Sequence, residues 1–159
     1  MTQSLEAHCS RHFTFEALFH CSDTWENSRC QNLPIQQQSW DAYADLAKTI
    51  LDPIVDNFGK IQLTFGFCGK ELRQLILRNT QPRIAPQLDQ HASYEQNTKG
   101  EPVCKRLGAA VDLKIDRMPS KVLATWIATN LPFDRLYYDG ANKPIHVSIG
   151  PQNSQQITW

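Results

Sequence analysis

A chain of 159 residues is long enough to bury a hydrophobic core and short enough that one domain is the expectation. Its 41% hydrophobic content argues against disorder, and no apolar run approaches the ~20 residues a membrane-spanning helix needs. Sixteen basic residues balance sixteen acidic ones, so bulk charge gives no reason to seek nucleic acid or an anionic membrane.

Residues 1–12 are a polar segment expected to fray, and they lack the apolar stretch of a secretory signal. The five cysteines, Cys9, Cys21, Cys30, Cys68 and Cys104, are odd in number and widely scattered, which fits reduced thiols better than a disulfide framework. Together these features predict a soluble, cytoplasmic protein.

Residues 13–150 read as the domain. Phe13 to Phe19 suggests a short amphipathic element. From Ser39, the positions Trp40, Tyr43, Leu46, Ala47, Ile50, Leu51, Ile54, Val55 and Phe58 recur at spacings of three and four, which predicts a long helix with one buried stripe. Pro53 should kink or interrupt it, and Gly59 is placed to cap it. Lys60 to Phe67 reads as a strand and Glu71 to Arg78 as a helix. Thr80 to Cys104 is long, polar and proline-containing, and a loop at about 80–105 in a compact domain is usually functional or mobile. Ala109 to Ile115 reads as a strand, followed by a helix opening at Pro119 whose buried face is Val122, Leu123, Trp126 and Ile127. Two closing strands, Asp134 to Tyr138 and Ile145 to Ile149, flank a loop at Gly140. Residues 151–159 form a polar C-terminal tail. Helices that precede and interrupt a small, mainly antiparallel sheet make the class α+β.

Two polar side chains stand out on otherwise apolar strands. Asp112 follows Gly108-Ala-Ala-Val, and His146 lies between Pro144-Ile and Val-Ser. A lone buried histidine is commonly a satisfied core residue, but a bare carboxylate inside an apolar strand is costly to bury. The pair is the stronger signal, because a catalytic zinc needs three protein ligands and one open position. His8, His12, His20, Cys21 and Cys30 match no standard zinc frame.

Leu51-Asp-Pro-Ile-Val-Asp-Asn-Phe-Gly59, Leu63-Thr-Phe-Gly-Phe-Cys-Gly69, Gly108-Ala-Ala-Val-Asp112, Phe133-Asp-Arg-Leu-Tyr137 and His146-Val-Ser148 occur in that order. In this arrangement the chain resembles the D-alanyl-D-alanine metallopeptidase and Hedgehog-type zinc peptidase superfamily. Its members show Ser-Gly-Tyr-Arg-Ser, then Ser-x-His-x-x-Gly-x-Ala-x-Asp, then a closing Trp-x-His-x-Ser strand. The resemblance implies that fold, a zinc ion, a peptide or protein partner, and a peptidase or amidase activity.

The departures bear on that activity. At strict family spacing the first histidine ligand falls on Lys105, and a protonated amine cannot ligate zinc. Three readings stand open. In the favoured one, Asp89-Gln-His-Ala supplies the ligand as His91, residues 92–107 are an insertion, and the zinc ligands are His91, Asp112 and His146. In the second, Cys104 fills the position. In the third there is no metal, and Lys105 pairs with Asp112. Cys68 stands where the family carries a substrate-binding arginine, so it marks the substrate side without supplying a charge. Lys143 and Pro144 replace the usual proton-transfer residue, leaving Asp139 as the nearest candidate for the catalytic carboxylate, or as a turn cap. Weak or lost catalysis follows from these changes, with a non-catalytic binding or assembly module on the same fold as the alternative.

Overall fold

The computed structural model describes residues 3–78 and 84–159; residues 79–83, where the expected loop begins, and residues 1–2 lie outside the described set. Two short helices come first, α1 (Phe15–Phe19) and α2 (Asp23–Ser28). Each starts at a hydroxyl that accepts an otherwise unpaired backbone N–H: Thr14 takes that of Ala17 at 3.3 Å, and Ser22 that of Trp25 at 3.1 Å.

The long apolar stripe winds through three helical pieces: α3 (Gln37–Leu46), a π-helical turn (Ala47–Leu51) and α4 (Asp52–Phe58). The break has a local cause. Pro53 has no N–H to give to the preceding turn, and the wider π turn, in which the Asp52 N–H reaches back to the Ala47 carbonyl, lets the chain carry the proline into the first turn of α4. Leu46, Ile50, Leu51 and Ile54 are nevertheless fully buried. Truncating any one to alanine would cost ~2–5 kcal/mol. All three pieces therefore contribute to one core.

Helix α3 has no cap of its own. Glu95 supplies one from far along the chain, accepting from the N–H groups of Ile35 (2.7 Å) and Gln36 (3.1 Å) and from the Ser39 hydroxyl (2.7 Å).

The remaining elements are β1 (Gln62–Phe65), α5 (Lys70–Leu77), α6 (Pro86–Asp89), β2 (Ala109–Lys114), α7 (Ser120–Asn130), β3 (Arg135–Tyr137), β4 (Ile145–Ile149) and β5 (Gln156–Thr158). The strands make one five-stranded mixed sheet in the order β1-β2-β4-β3-β5. All neighbours run antiparallel except β3 and β5, which run parallel. The chain is thus a single small α+β domain.

Period-two alternation gives the sheet two different faces. Val111, Leu113, Leu136, Ile145 and Val147 join the main core with the stripe of α3 and α4 and with Leu123 and Ile127 of α7. The intervening positions carry Asp112, His146 and Tyr137. In α7, Val122 is 50% exposed while Ala124 is buried, so the inner face of that helix lies one step round from the expected one.

Both chain ends are more engaged than their polarity suggests. Asp52, buried in α4, accepts from the Ser10 hydroxyl (2.9 Å) and from the N–H groups of Arg11 (3.0 Å) and His12 (3.2 Å), so residues 10–12 are tied down rather than frayed. At the other end, Gln156–Thr158 of the expected tail is strand β5. Among the described residues no helix is long and apolar enough to cross a membrane.

Candidate metal centre

Asp112 and His146 face each other directly across the β2/β4 pair, so both side chains leave the sheet on the same side. The Asp112 Oδ1 lies 3.0 Å from His146 Nδ1. Beside them, the register between β1 and β2 slips between Leu63 and Phe65. This irregularity sets Phe65 opposite Asp112, and a bulge of that kind re-aims a side chain beside a site.

His91 arrives from the turn after α6. Gln90 ends that helix with φ +66°, in the left-handed region, and points His91 inward. The backbone and ring of His91 are then clamped from several sides. Its carbonyl accepts from the Cys68 N–H at 2.9 Å and from the Tyr43 hydroxyl at 3.3 Å. Its Nδ1 lies 2.8 Å from the Gly66 carbonyl. Because a carbonyl can only accept, that contact fixes the proton on Nδ1 and leaves Nε2 to face Asp112 Oδ1 at 3.4 Å. The ring is fully buried, with the edge of Phe65 against it at 4.9 Å between centroids.

A bare imidazole lone pair aimed at a carboxylate oxygen is repulsive. Two states relieve it: a second proton on His91, or a cation among the three side chains. For the first, burial pushes His91 down, but the negative charge of Asp112 beside it outweighs this and raises its pKa above the ordinary histidine value. Burial likewise pushes the Asp112 carboxyl up, and His91 and His146 together outweigh that, holding it well below the usual carboxylate range.

For the second state the geometry is suitable. Metal–ligand bonds of about 2.0–2.1 Å at tetrahedral angles require ligand atoms ~3.3 Å apart. The two measured edges, 3.0 and 3.4 Å, bracket that value, and one ligand-type atom from each of the three residues lies within 4.8 Å of the others. His91 Nε2 is buried without a hydrogen-bond partner, which is expensive in a protein interior unless something ligates it. The His91, Asp112 and His146 group can hold a divalent metal ion. Asp112, with 17% of its side chain exposed, is the rim of the site, while the two imidazoles are almost or fully enclosed.

Of the three open readings, the structure brings His91 to Asp112. Cys104 is buried outside this group, and Lys105 is exposed. Among the described residues Asp112 makes ionic contacts to the two histidines alone.

Two further expectations need correction. Cys68 does not face a ligand: its side chain is fully buried with Trp25, Phe65, Leu72 and Ile76, and burial pushes its thiol up to about 12. Its contribution is the backbone N–H on His91. Asp139 is 80% exposed and pairs with Lys143 at 3.6 Å on the surface; no contact joins it to the three clustered residues. Of the outlying residues once weighed as metal ligands, His12 pairs with Asp56 at 2.8 Å, and His20 stacks on Trp25 at 3.9 Å.

Tyr137 and Arg106 join the site without having been singled out from sequence. Tyr137 is paired with His146 in the β3/β4 register, and its ring stacks on that imidazole at 4.7 Å and 15°. Arg106 Nη1 donates to the Tyr137 hydroxyl at 3.1 Å. Strand alternation from Leu136 could have flagged Tyr137 as facing His146; nothing local marks Arg106. Compared with known proteins, the chain matches no family model, no curated protein and no solved structure.

Proposed function

We propose that this chain is a zinc-binding, metallopeptidase-like domain of the D-alanyl-D-alanine peptidase and Hedgehog type, with His91, Asp112 and His146 as its ligands. One observation carries the reading: from three distant segments, an imidazole Nε2, a carboxylate oxygen and an imidazole Nδ1 meet at spacings suited to a tetrahedral ion. The order of the segments around Gly66, Asp112 and His146 supports it as well.

When bound, zinc would polarise a scissile carbonyl and lower the pKa of a water in the fourth position. The protein's own part is to hold the ligands ready. The Gly66 carbonyl fixes the His91 tautomer, the sheet register fixes Asp112 against His146, and the rings of Phe65 and Tyr137 wall off the imidazoles.

The helpers of efficient hydrolysis are what the site lacks. Cys68 puts no charge near a substrate, and Asp139 is occupied at the surface by Lys143. These two placements favour the second reading, a binding or assembly module that keeps the fold without turnover.

The zinc-loaded chain, incubated with a peptide panel that includes D-alanyl-D-alanine termini, separates the readings. Slow cleavage that vanishes in His146→Ala supports a hydrolase. Stoichiometric zinc without cleavage supports the binding module. A folded chain that takes up no zinc refutes the zinc centre and leaves the non-catalytic module on the same fold.

A further inference from the structure

The two histidines of the cluster come from different layers, His146 from the sheet and His91 from the turn after α6, and one guanidinium nitrogen joins those layers. Arg106 Nη1 carries two hydrogens, and both are used: it donates to the Leu88 carbonyl at 2.5 Å and to the Tyr137 hydroxyl at 3.1 Å. The Leu88 carbonyl lies in the last turn of α6, just before His91, where a helix leaves its carbonyls without partners. On the other side, Tyr137 of β3 lies flat on the His146 imidazole at 4.7 Å and 15°. A second bond crosses beside the first: the Gln90 amide donates to the Leu107 carbonyl at 2.7 Å. Among the described residues no carboxylate pairs with the Arg106 guanidinium, so these neutral acceptors are what hold it. The contacts run from His91 through α6, Arg106 and Tyr137 to His146 and close on the cluster itself, where the imidazole centroids stand 5.1 Å apart with planes at 76°. Metal–ligand distances hold to within about 0.2 Å, so affinity follows the spacing of those two rings.

We infer that Arg106 and Tyr137 are positioning residues of the metal centre: the guanidinium buckles the segment that delivers His91 to the ring that seats His146, and so sets the separation of the two imidazoles. This rests on the metal-centre reading and adds to it the residues that hold its two arms together.

A double-mutant cycle on the full chain tests the inference, with zinc affinity read by chelator competition and cobalt(II) substituted for zinc to report ligand geometry through its d–d bands. Arg106→Met removes both bonds and should weaken zinc binding by about tenfold, the low end for an outer partner of a metal ligand. Tyr137→Phe keeps the stacked ring, loses one of the two bonds, and should cost at least about threefold. In the Arg106→Met background Tyr137→Phe should cost nothing further, because the bond it removes is already gone. Arg106→Lys, which keeps donors but not the fixed fork, should recover part of the loss. Both single variants should alter the cobalt bands, a change that a loss of fold stability alone does not produce. Tyr137→Phe deletes one oxygen from a half-buried side chain, so it decides the matter even where Arg106→Met fails to fold. Wild-type zinc affinity and unchanged cobalt bands in Tyr137→Phe overturn the buckle while leaving the metal centre standing; so do losses that multiply in the double variant. A folded wild-type chain that binds neither zinc nor cobalt overturns the metal-centre reading, and this inference with it.

Discussion

Replacing Gly66 by alanine tests how tightly the scaffold controls the His91 ring. An ideal Cβ at this position would sit 1.9 Å from the Leu18 carbonyl oxygen, 3.0 Å from its carbon and 3.2 Å from the Cys21 sulfur. Carbon and oxygen need ~3.3 Å, so the backbone must open by roughly 1.4 Å. Leu18 is fully buried, and its carbonyl also accepts from the Phe67 N–H at 3.0 Å, so that bond is strained first. Overpacking costs ~1–3 kcal/mol and the weakened hydrogen bond ~1 kcal/mol more, which predicts a loss of ~2–4 kcal/mol in urea unfolding of the metal-free protein. The same shift moves the carbonyl that holds His91 Nδ1. Misplacing such a supporting group lowers metal affinity by ~10–100-fold, measurable by competition with a chromophoric chelator. Gly59→Ala is the control. Gly59 has φ +86° with nothing within 4 Å, so alanine there costs ~1–3 kcal/mol in backbone strain and leaves zinc affinity where it was. If Gly66→Ala loses no more zinc affinity than Gly59→Ala, the clamp on His91 has been misread.

Other outcomes follow from the same contacts. Burial pushes the Asp134 carboxyl up, but the Ser154 N–H at 2.6 Å and the Gln90 amide at 2.8 Å outweigh it and hold it below the ordinary value. A lowered folded-state pKa stabilises above the unfolded value near 3.8 and is lost as pH falls through the folded one. Asp134→Asn should therefore cost ~2 kcal/mol at pH 7 by urea unfolding, with the gap to wild type closing only below about pH 4; a gap independent of pH would contradict this. Glu95→Ala strands the N–H groups of Ile35 and Gln36 and the Ser39 hydroxyl, and should lower stability by ~2–3 kcal/mol, whereas an unchanged denaturation midpoint would show that α3 starts without help. Iodoacetamide on the native protein should label the half-buried Cys30 first, with Cys21 and Cys68, both pushed up to about 12, reacting only on unfolding; peptide mapping that finds Cys68 modified early would return it to a ligand-facing role.

How much could be read from residues alone varied with the range of the interaction involved. Strand alternation and the polar intrusions at Asp112 and His146 are local patterns, and they located β2, β4 and two of the three clustered side chains. The stripe from Trp40 to Ile54 was legible for the same reason, and Pro53 signalled the break, though not that a π turn would absorb it. His91 rested on comparing motifs in order, since nothing around it distinguishes a surface loop histidine from a ligand; its position depends on Tyr43, Gly66 and Cys68, from three separate elements. Asp139 and Cys68 misled because chain proximity to a motif was taken for proximity to the site. One side chain turned outward to Lys143, and the other turned into the cluster around Trp25 and Leu72. Residues 10–12 and 156–158 looked like loose ends because polarity carries no record of a distant acceptor such as Asp52, or of a strand such as β3 on which the tail can pair.

Crystals grown with zinc, and data collected on either side of the zinc absorption edge, address the central claim directly. An anomalous peak within about 2.0–2.2 Å of His91 Nε2, an Asp112 oxygen and His146 Nδ1 is the predicted result. A peak elsewhere, or an empty site with the His91 ring turned away from Asp112, would contradict it.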